Sequence, residues 1–149
     1  MNVALTCDMR IRLLLVEDEL STVFAMREFF AQVGYDVDCA SGLNEAATLI
    51  DRHVYEAVIT DLHLTTYRSG EGVRVAWHAR RRNPHACIVM LTGYGGETTE
   101  EEAQRCGVDM YQTKPVELAH LSAFVDLVLQ RDHDDAAKPR ELEPKWRQH

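Results

Sequence analysis

Five short apolar runs, each followed by a stretch with helical periodicity, constrain this chain more than any other feature of its sequence. The runs are IRLLLV from Ile11 to Val16, YDVDCA from Tyr35 to Ala40, YEAVITD from Tyr55 to Asp61, ACIVMLT from Ala86 to Thr92 and DMYQT from Asp109 to Thr113. Their length and content suit strands. After the first run, Val23, Met26, Phe30 and Val33 share one helical face, and Gly34 stands at a C′ position. Ser41 is placed to cap a second helix whose face is Leu43, Ala46, Ala47 and Ile50. A polar loop through Gly70 and Gly72 leads to a third helix from about Val73 to Arg82. A fourth helix ends at Gly107, and a fifth follows Pro115 with Leu118, Leu121, Val125 and Val128 aligned. Apolar strands joined by helical crossovers require a parallel sheet covered on both faces. Crossovers are right-handed, so the expected architecture is an α/β, doubly wound five-stranded parallel sheet with helices on both faces.

Composition narrows the class. A chain of 149 residues with 46 % hydrophobic and 27 % charged residues is long enough for one domain with its own core and too apolar for general disorder. No apolar run is long enough to span a membrane, and Met1 to Arg10 lack the pattern of a signal peptide. The net charge of −8 argues against non-specific nucleic-acid binding. Cys7, Cys39, Cys87 and Cys106 have no metal-ligand spacing and read as reduced thiols of a cytoplasmic protein. The histidines are scattered without a zinc-binding pattern. The expected organisation is an N-terminal extension over 1–9, one domain over 10–130, and a polar tail or linker over 131–149 around Trp146. Arg80, Arg81 and Arg82 read as the solvated, dipole-compatible end of the third helix.

Ligands of doubly wound sheets sit beyond the carboxyl ends of the strands. Here those ends carry Glu17, Asp18 and Glu19, then Asp61, then Thr92, then Lys114 with Pro115. Carboxylates gathered in a small space repel one another and call for a cation. A hard divalent ion with oxygen ligands, Mg2+ or Mn2+, suits them. Asp61 is then placed as a nucleophile toward phosphorus. Magnesium, the Lys114 ammonium and the Thr92 hydroxyl would neutralise the phosphoryl oxygens. Taken singly, each residue has a plainer reading. Glu17 to Glu19 suit a helix start, and Tyr111 suits a half-buried strand position.

In combination, LLLVEDE, VITDLHL, VMLTGYG and MYQTKP resemble the receiver domain of two-component response regulators, over roughly Arg10 to Leu129. The resemblance implies a flavodoxin-like fold and a cytoplasmic signalling switch, not an enzyme beyond its own phosphotransfer and dephosphorylation. It implies Asp61 as phosphoacceptor, with Lys114 and Thr92 completing the catalytic set. Asp18 would be the direct Mg2+ ligand, Glu17 would act through water or as a second acid, and Asp61 and the His63 backbone carbonyl would complete the metal set. Thr92 and Tyr111 would be the moving switch, and the Lys114–Pro115 bond would be cis. His63 and Tyr94 occupy positions that influence phosphoryl lifetime, and their bulk predicts slow self-dephosphorylation. The implied partners are a histidine kinase or histidine phosphotransfer protein as donor and a downstream protein target, with dimerisation on phosphorylation among the outputs. No DNA-binding domain is visible, and no membrane contact is expected.

The sequence departs from that pattern after Asp61. Position 65 is Thr where proline is usual, and TTYRSGEG is longer than usual by about three residues. Two rival readings stand beside the main one. A pseudo-receiver would bind without being phosphorylated. A haloacid-dehalogenase-type phosphohydrolase would use DLHLT, but His63 stands where its acid/base Asp belongs and the nucleophile follows the third strand, not the first.

Overall fold

The computed structural model describes residues 10–64, 71–93 and 97–134. Five strands and five helices alternate: β1 (Arg12–Val16), α1 (Leu20–Gln32), β2 (Asp36–Ala40), α2 (Leu43–Arg52), β3 (Ala57–Asp61), α3 (Glu71–Arg82), β4 (Cys87–Thr92), α4 (Glu97–Arg105), β5 (Met110–Thr113) and α5 (Leu118–Asp134). All pairings are parallel and the strand order is β2-β1-β3-β4-β5. The doubly wound architecture expected from the sequence is therefore the one observed. The chain turns back on itself between β1 and β3, which marks the switch point of the sheet.

Alternation along the inner strands builds two cores. Leu13, Leu15, Ala57, Ile59, Cys87, Val89 and Leu91 face α1 and α5, where Met26, Phe30, Leu121 and Val125 complete the layer. Leu14, Val16, Val58, Ile88 and Met90 face the opposite layer with Ala46, Ile50, Val73, Ala76 and Ala103. Side chains of successive strand residues point to opposite faces, so continuous apolar runs are what a sheet covered on both sides needs. Each fully buried leucine contributes about 1.5–3 kcal/mol.

Most local expectations hold within a residue or two, and four are corrected. Val33 lies just past the end of α1 and is exposed instead of packed. Ser41 does not cap α2. Gly42 is the N-cap, and Ser41 instead donates its backbone N–H to Glu45 Oε1 at 2.8 Å. The third helix begins at Glu71, ahead of Val73.

Arg80 is the largest departure. It is 6 % exposed, not solvated. Its guanidinium donates to the carbonyls of Gly107 (2.6 and 3.1 Å), Pro84 (2.8 Å) and Ala86 (2.7 Å) and pairs with Asp109 at 2.8 Å. Arg80 lies four residues after Ala76 on the inward stripe of α3, so it enters the interior while Arg81 and Arg82 stay outside. Gly34 and Gly107 follow α1 and α4 with φ of +102° and +91°, the left-handed turn that ends a helix at low cost only with glycine.

The last helix runs on through Asp134. No helix among the described residues is long and apolar enough to cross a membrane. The segments 1–9 and 135–149, including Cys7 and Trp146, and residues 65–70 lie outside the described residues.

Candidate functional site

Register brings the polar strand ends together. Val16 lies opposite Thr60, so Glu17 leaves β1 beside Asp61 at the end of β3. Asp61 lies opposite Leu91, one residue before Thr92, and Thr92 lies opposite Thr113, one residue before Lys114. The cluster sits at the β1/β3 switch point, where doubly wound sheets place their ligands.

Carboxylate oxygens of Glu17, Asp18 and Asp61 lie within 4.8 Å of one another. Glu17 and Asp61 are buried, at 4 % and 9 % exposure, while Asp18 is exposed. The Lys114 ammonium spans the buried pair, donating to Glu17 Oε1 at 3.1 Å and to Asp61 Oδ2 at 3.2 Å. Burial raises the Glu17 pKa above its ordinary value, and the Asp61 charge adds to this; the hydrogen bond from Lys114 opposes it without cancelling it. Burial alone would lower the Lys114 pKa, but its bonds to Glu17 and Asp61 outweigh this and raise it. The site thus holds more negative charge than one ammonium offsets. A hard divalent cation fits this donor set: three carboxylates, two of them desolvated, with oxygen atoms close enough to share one ion.

The backbone fixes the same groups. The His63 N–H donates to Asp61 Oδ1 at 3.3 Å, and the Glu19 N–H donates to Glu17 Oε2 at 3.2 Å. The Lys114 N–H donates to the Thr92 carbonyl at 2.7 Å, and the Lys114–Pro115 peptide is cis. Thr92 is wholly buried. Tyr111 is half-buried, with its ring against the α2–α4 core. Its hydroxyl is buried without a hydrogen-bond partner among the described residues. The structure therefore gathers Glu17, Asp18, Asp61 and Lys114 into one cluster, places His63 against Asp61 through its backbone, and sets Thr92 and Tyr111 on the neighbouring strands. Tyr94 lies outside the described residues.

Two supporting residues were not legible as such in the sequence. A Cβ on Gly72 would stand 2.1 Å from the Asp61 carbonyl oxygen and 2.7 Å from the Leu62 Cα, so only glycine lets α3 start this close to the strand end. Its nearest signal was a glycine shortly after Asp61. Glu71, one residue earlier, accepts the Leu43 N–H at 3.1 Å across a separation of 28 residues, and nothing local announces that partner.

Comparison with known proteins identifies the family and agrees with the fold. The family model for the response regulator receiver domain matches residues 13–126. The regulatory protein VanRB of Enterococcus faecalis is 32 % identical over 123 residues, covering 83 % of this chain and 54 % of that protein. The response regulator protein PilR of Pseudomonas aeruginosa is 27 % identical over 127 residues, covering 85 % of this chain and 28 % of that protein. The chain thus spans about half or less of the length of these two curated relatives. Among solved structures, a CheY-like receiver domain protein from Methanospirillum hungatei superposes with a TM-score of 0.78 at 22 % identity, covering 85 % of this chain and 99 % of that one. A response regulator from Burkholderia pseudomallei, solved with a phosphorylated aspartic acid, calcium ion and citrate, gives a TM-score of 0.72 at 25 % identity, covering 85 % and 73 %.

Proposed function

This chain belongs to the response regulator receiver domain family, and on that premise we propose that it is a phosphorylation-controlled switch whose phosphoacceptor is Asp61. The observation that carries this reading is the cluster itself: Asp61 buried at a strand end, grouped with Glu17 and Asp18, and bonded to Lys114 at 3.2 Å. The donor is a histidine kinase or a histidine phosphotransfer protein. An Asp61 carboxylate oxygen forms a bond to phosphorus while the P–N bond of the donor phosphohistidine breaks. The electron pair of that bond returns to the imidazole nitrogen, which takes up a proton from solvent.

Glu17, Asp18, Asp61 and the His63 carbonyl would hold the metal, Mg2+ or Mn2+. Such an ion, when bound, offsets charge on the phosphoryl oxygens. Lys114 is already within reach of Asp61 and serves the same oxygens. The new dianion draws Thr92 inward, and Tyr111 follows. The unpartnered Tyr111 hydroxyl supports a side chain that gains a partner in a second arrangement. Downstream, the altered α4–β5–α5 face engages a protein target or a second copy of the chain. In this reading the bulk of His63, and of Tyr94 by its place in the sequence, slows the attack of water on the acyl phosphate. The cytoplasm is the compartment that this chemistry assumes.

The test is intact mass after incubation with Mg2+ and acetyl phosphate, for wild type and Asp61→Asn. A single phosphoryl gain that Asp61→Asn abolishes is the expected result. No gain by a folded wild type that binds Mg2+ would leave a binding module that is not phosphorylated.

A further inference from the structure

Backbone hydrogen bonds and one side-chain acceptor join the two sides of the acidic cluster through the starts of α2 and α3. On one side, the Glu17 N–H donates to the Ala40 carbonyl at 3.0 Å, and Ala40 leads through Ser41 and Gly42 into Leu43, the first residue of α2. On the other side, the Gly72 N–H donates to the Leu62 carbonyl at 3.0 Å, and the Leu62 N–H donates to Leu91 at 2.8 Å. Glu71 spans the gap, because its Oε1 accepts the Leu43 N–H at 3.1 Å.

Three features make this contact more than incidental. The first N–H groups of a helix have no partner within the helix. The N-cap of α2 is Gly42, which has no side chain to supply one, so Glu71 takes that place from another helix. A carboxylate at a helix N-terminus is also favoured by the aligned peptide dipoles. Finally, Glu71 is half-buried and adjoins Gly72, where an added Cβ would overlap the Asp61 carbonyl. A shift in where α3 begins is therefore felt directly at Asp61.

We infer that Glu71 is a positioning residue for the metal site: β1–β3 pairing brings Glu17 beside Asp61, and by closing this ring Glu71 steadies the backbone just beyond the strand ends, where Glu17, Asp18 and Asp61 present their carboxylates. It does so without ligating the ion. The inference rests on the reading above that this cluster takes a divalent cation.

The experiment is calorimetric titration of Mg2+ alone into wild type, Glu71→Ala and Glu71→Gln. Urea unfolding in EDTA is followed in parallel. Glu71→Ala removes the acceptor and is expected to weaken Mg2+ binding about 10-fold, at the lower end of what supporting partners of metal ligands contribute. Glu71→Gln keeps an oxygen at the same reach and is expected to restore binding to within about twofold of wild type, a rescue that measures the hydrogen bond and not the charge. Should Glu71→Ala not fold, Glu71→Asp shortens the reach by one methylene and is expected to weaken binding in the same direction. Equal affinity in wild type and Glu71→Ala would overturn this inference alone. So would equal weakening by the Ala and Gln variants. No Mg2+ binding by the wild type would overturn both this inference and the metal reading beneath it.

Discussion

Gly72→Ala sets helix propensity against steric fit, and the two predict opposite signs. Gly72 is the second residue of α3, and replacing glycine with alanine within a helix ordinarily stabilises by up to about 1 kcal/mol. The structure opposes that gain. The added methyl would lie 2.1 Å from the Asp61 oxygen, 2.7 Å from the Leu62 Cα and 2.9 Å from the Asp61 carbonyl carbon. All three atoms are backbone, so no side-chain rotation relieves the overlap. Carbon atoms prefer about 3.5–4.0 Å, so α3 must retreat by an ångström or more. Forcing a methyl into such a place costs about 1–3 kcal/mol. The retreat also stretches the hydrogen bond from Gly72 to Leu62, which is worth about 1 kcal/mol. The steric side wins by about 2 kcal/mol, which for a domain of this size lowers Tm by roughly 4–8 °C. Differential scanning calorimetry in EDTA measures the shift, and Mg2+ titration of the same variant reports whether Asp61 has moved. A Tm equal to or above that of wild type would show that propensity outweighs the contact and would refute the reasoning.

Other outcomes follow from the charges. The folded Glu17 pKa is raised above the ordinary carboxylate value of 4.5, so its contribution to stability is present below about that pH and is lost as pH rises through the folded value. A bound divalent ion takes the place of that proton, so the Tm gained from saturating Mg2+ should grow as pH rises above the ordinary carboxylate value; a gain that is flat with pH would count against the assignment. Arg80→Ala leaves the Asp109 carboxylate buried without its cation and should cost about 3–5 kcal/mol in urea unfolding. Arg81→Ala, on the exposed side of the same helix end, should change stability by less than about 1 kcal/mol; similar losses for both would contradict the burial that separates them.

How far the sequence could be read depended on the range of each interaction. Apolar period, helix-ending glycines and polar strand ends are local signals, and from them the five strands, the five helices and the gathering of Glu17, Asp18, Asp61 and Lys114 were legible, with Thr92 at the end of the neighbouring strand. Parallel pairing turns strand-end position into spatial proximity, because consecutive strands run the same way and their carboxyl ends share one edge. That is why Glu17 and Lys114, 97 positions apart in the chain, read as neighbours from their strand-end positions.

What escaped depended on partners that sequence spacing does not name. Arg80 belonged to an exposed-looking basic triplet, and only the orientation of α3 against Gly107 and Asp109 turned one of the three inward. Ser41 had the chemistry of a cap, but the backbone entered α2 one residue later and left Gly42 there. The acceptor that α2 then lacked came from Glu71, on a helix whose start is governed by the close approach of Gly72 to Asp61. Which polar residues stand at the strand ends was thus determined by the sequence alone, because the sheet repeats a rule. The spacing and burial of those groups were decided by tertiary structure, because they depend on how separate helices dock against the sheet, and docking is settled by packing that no single segment carries.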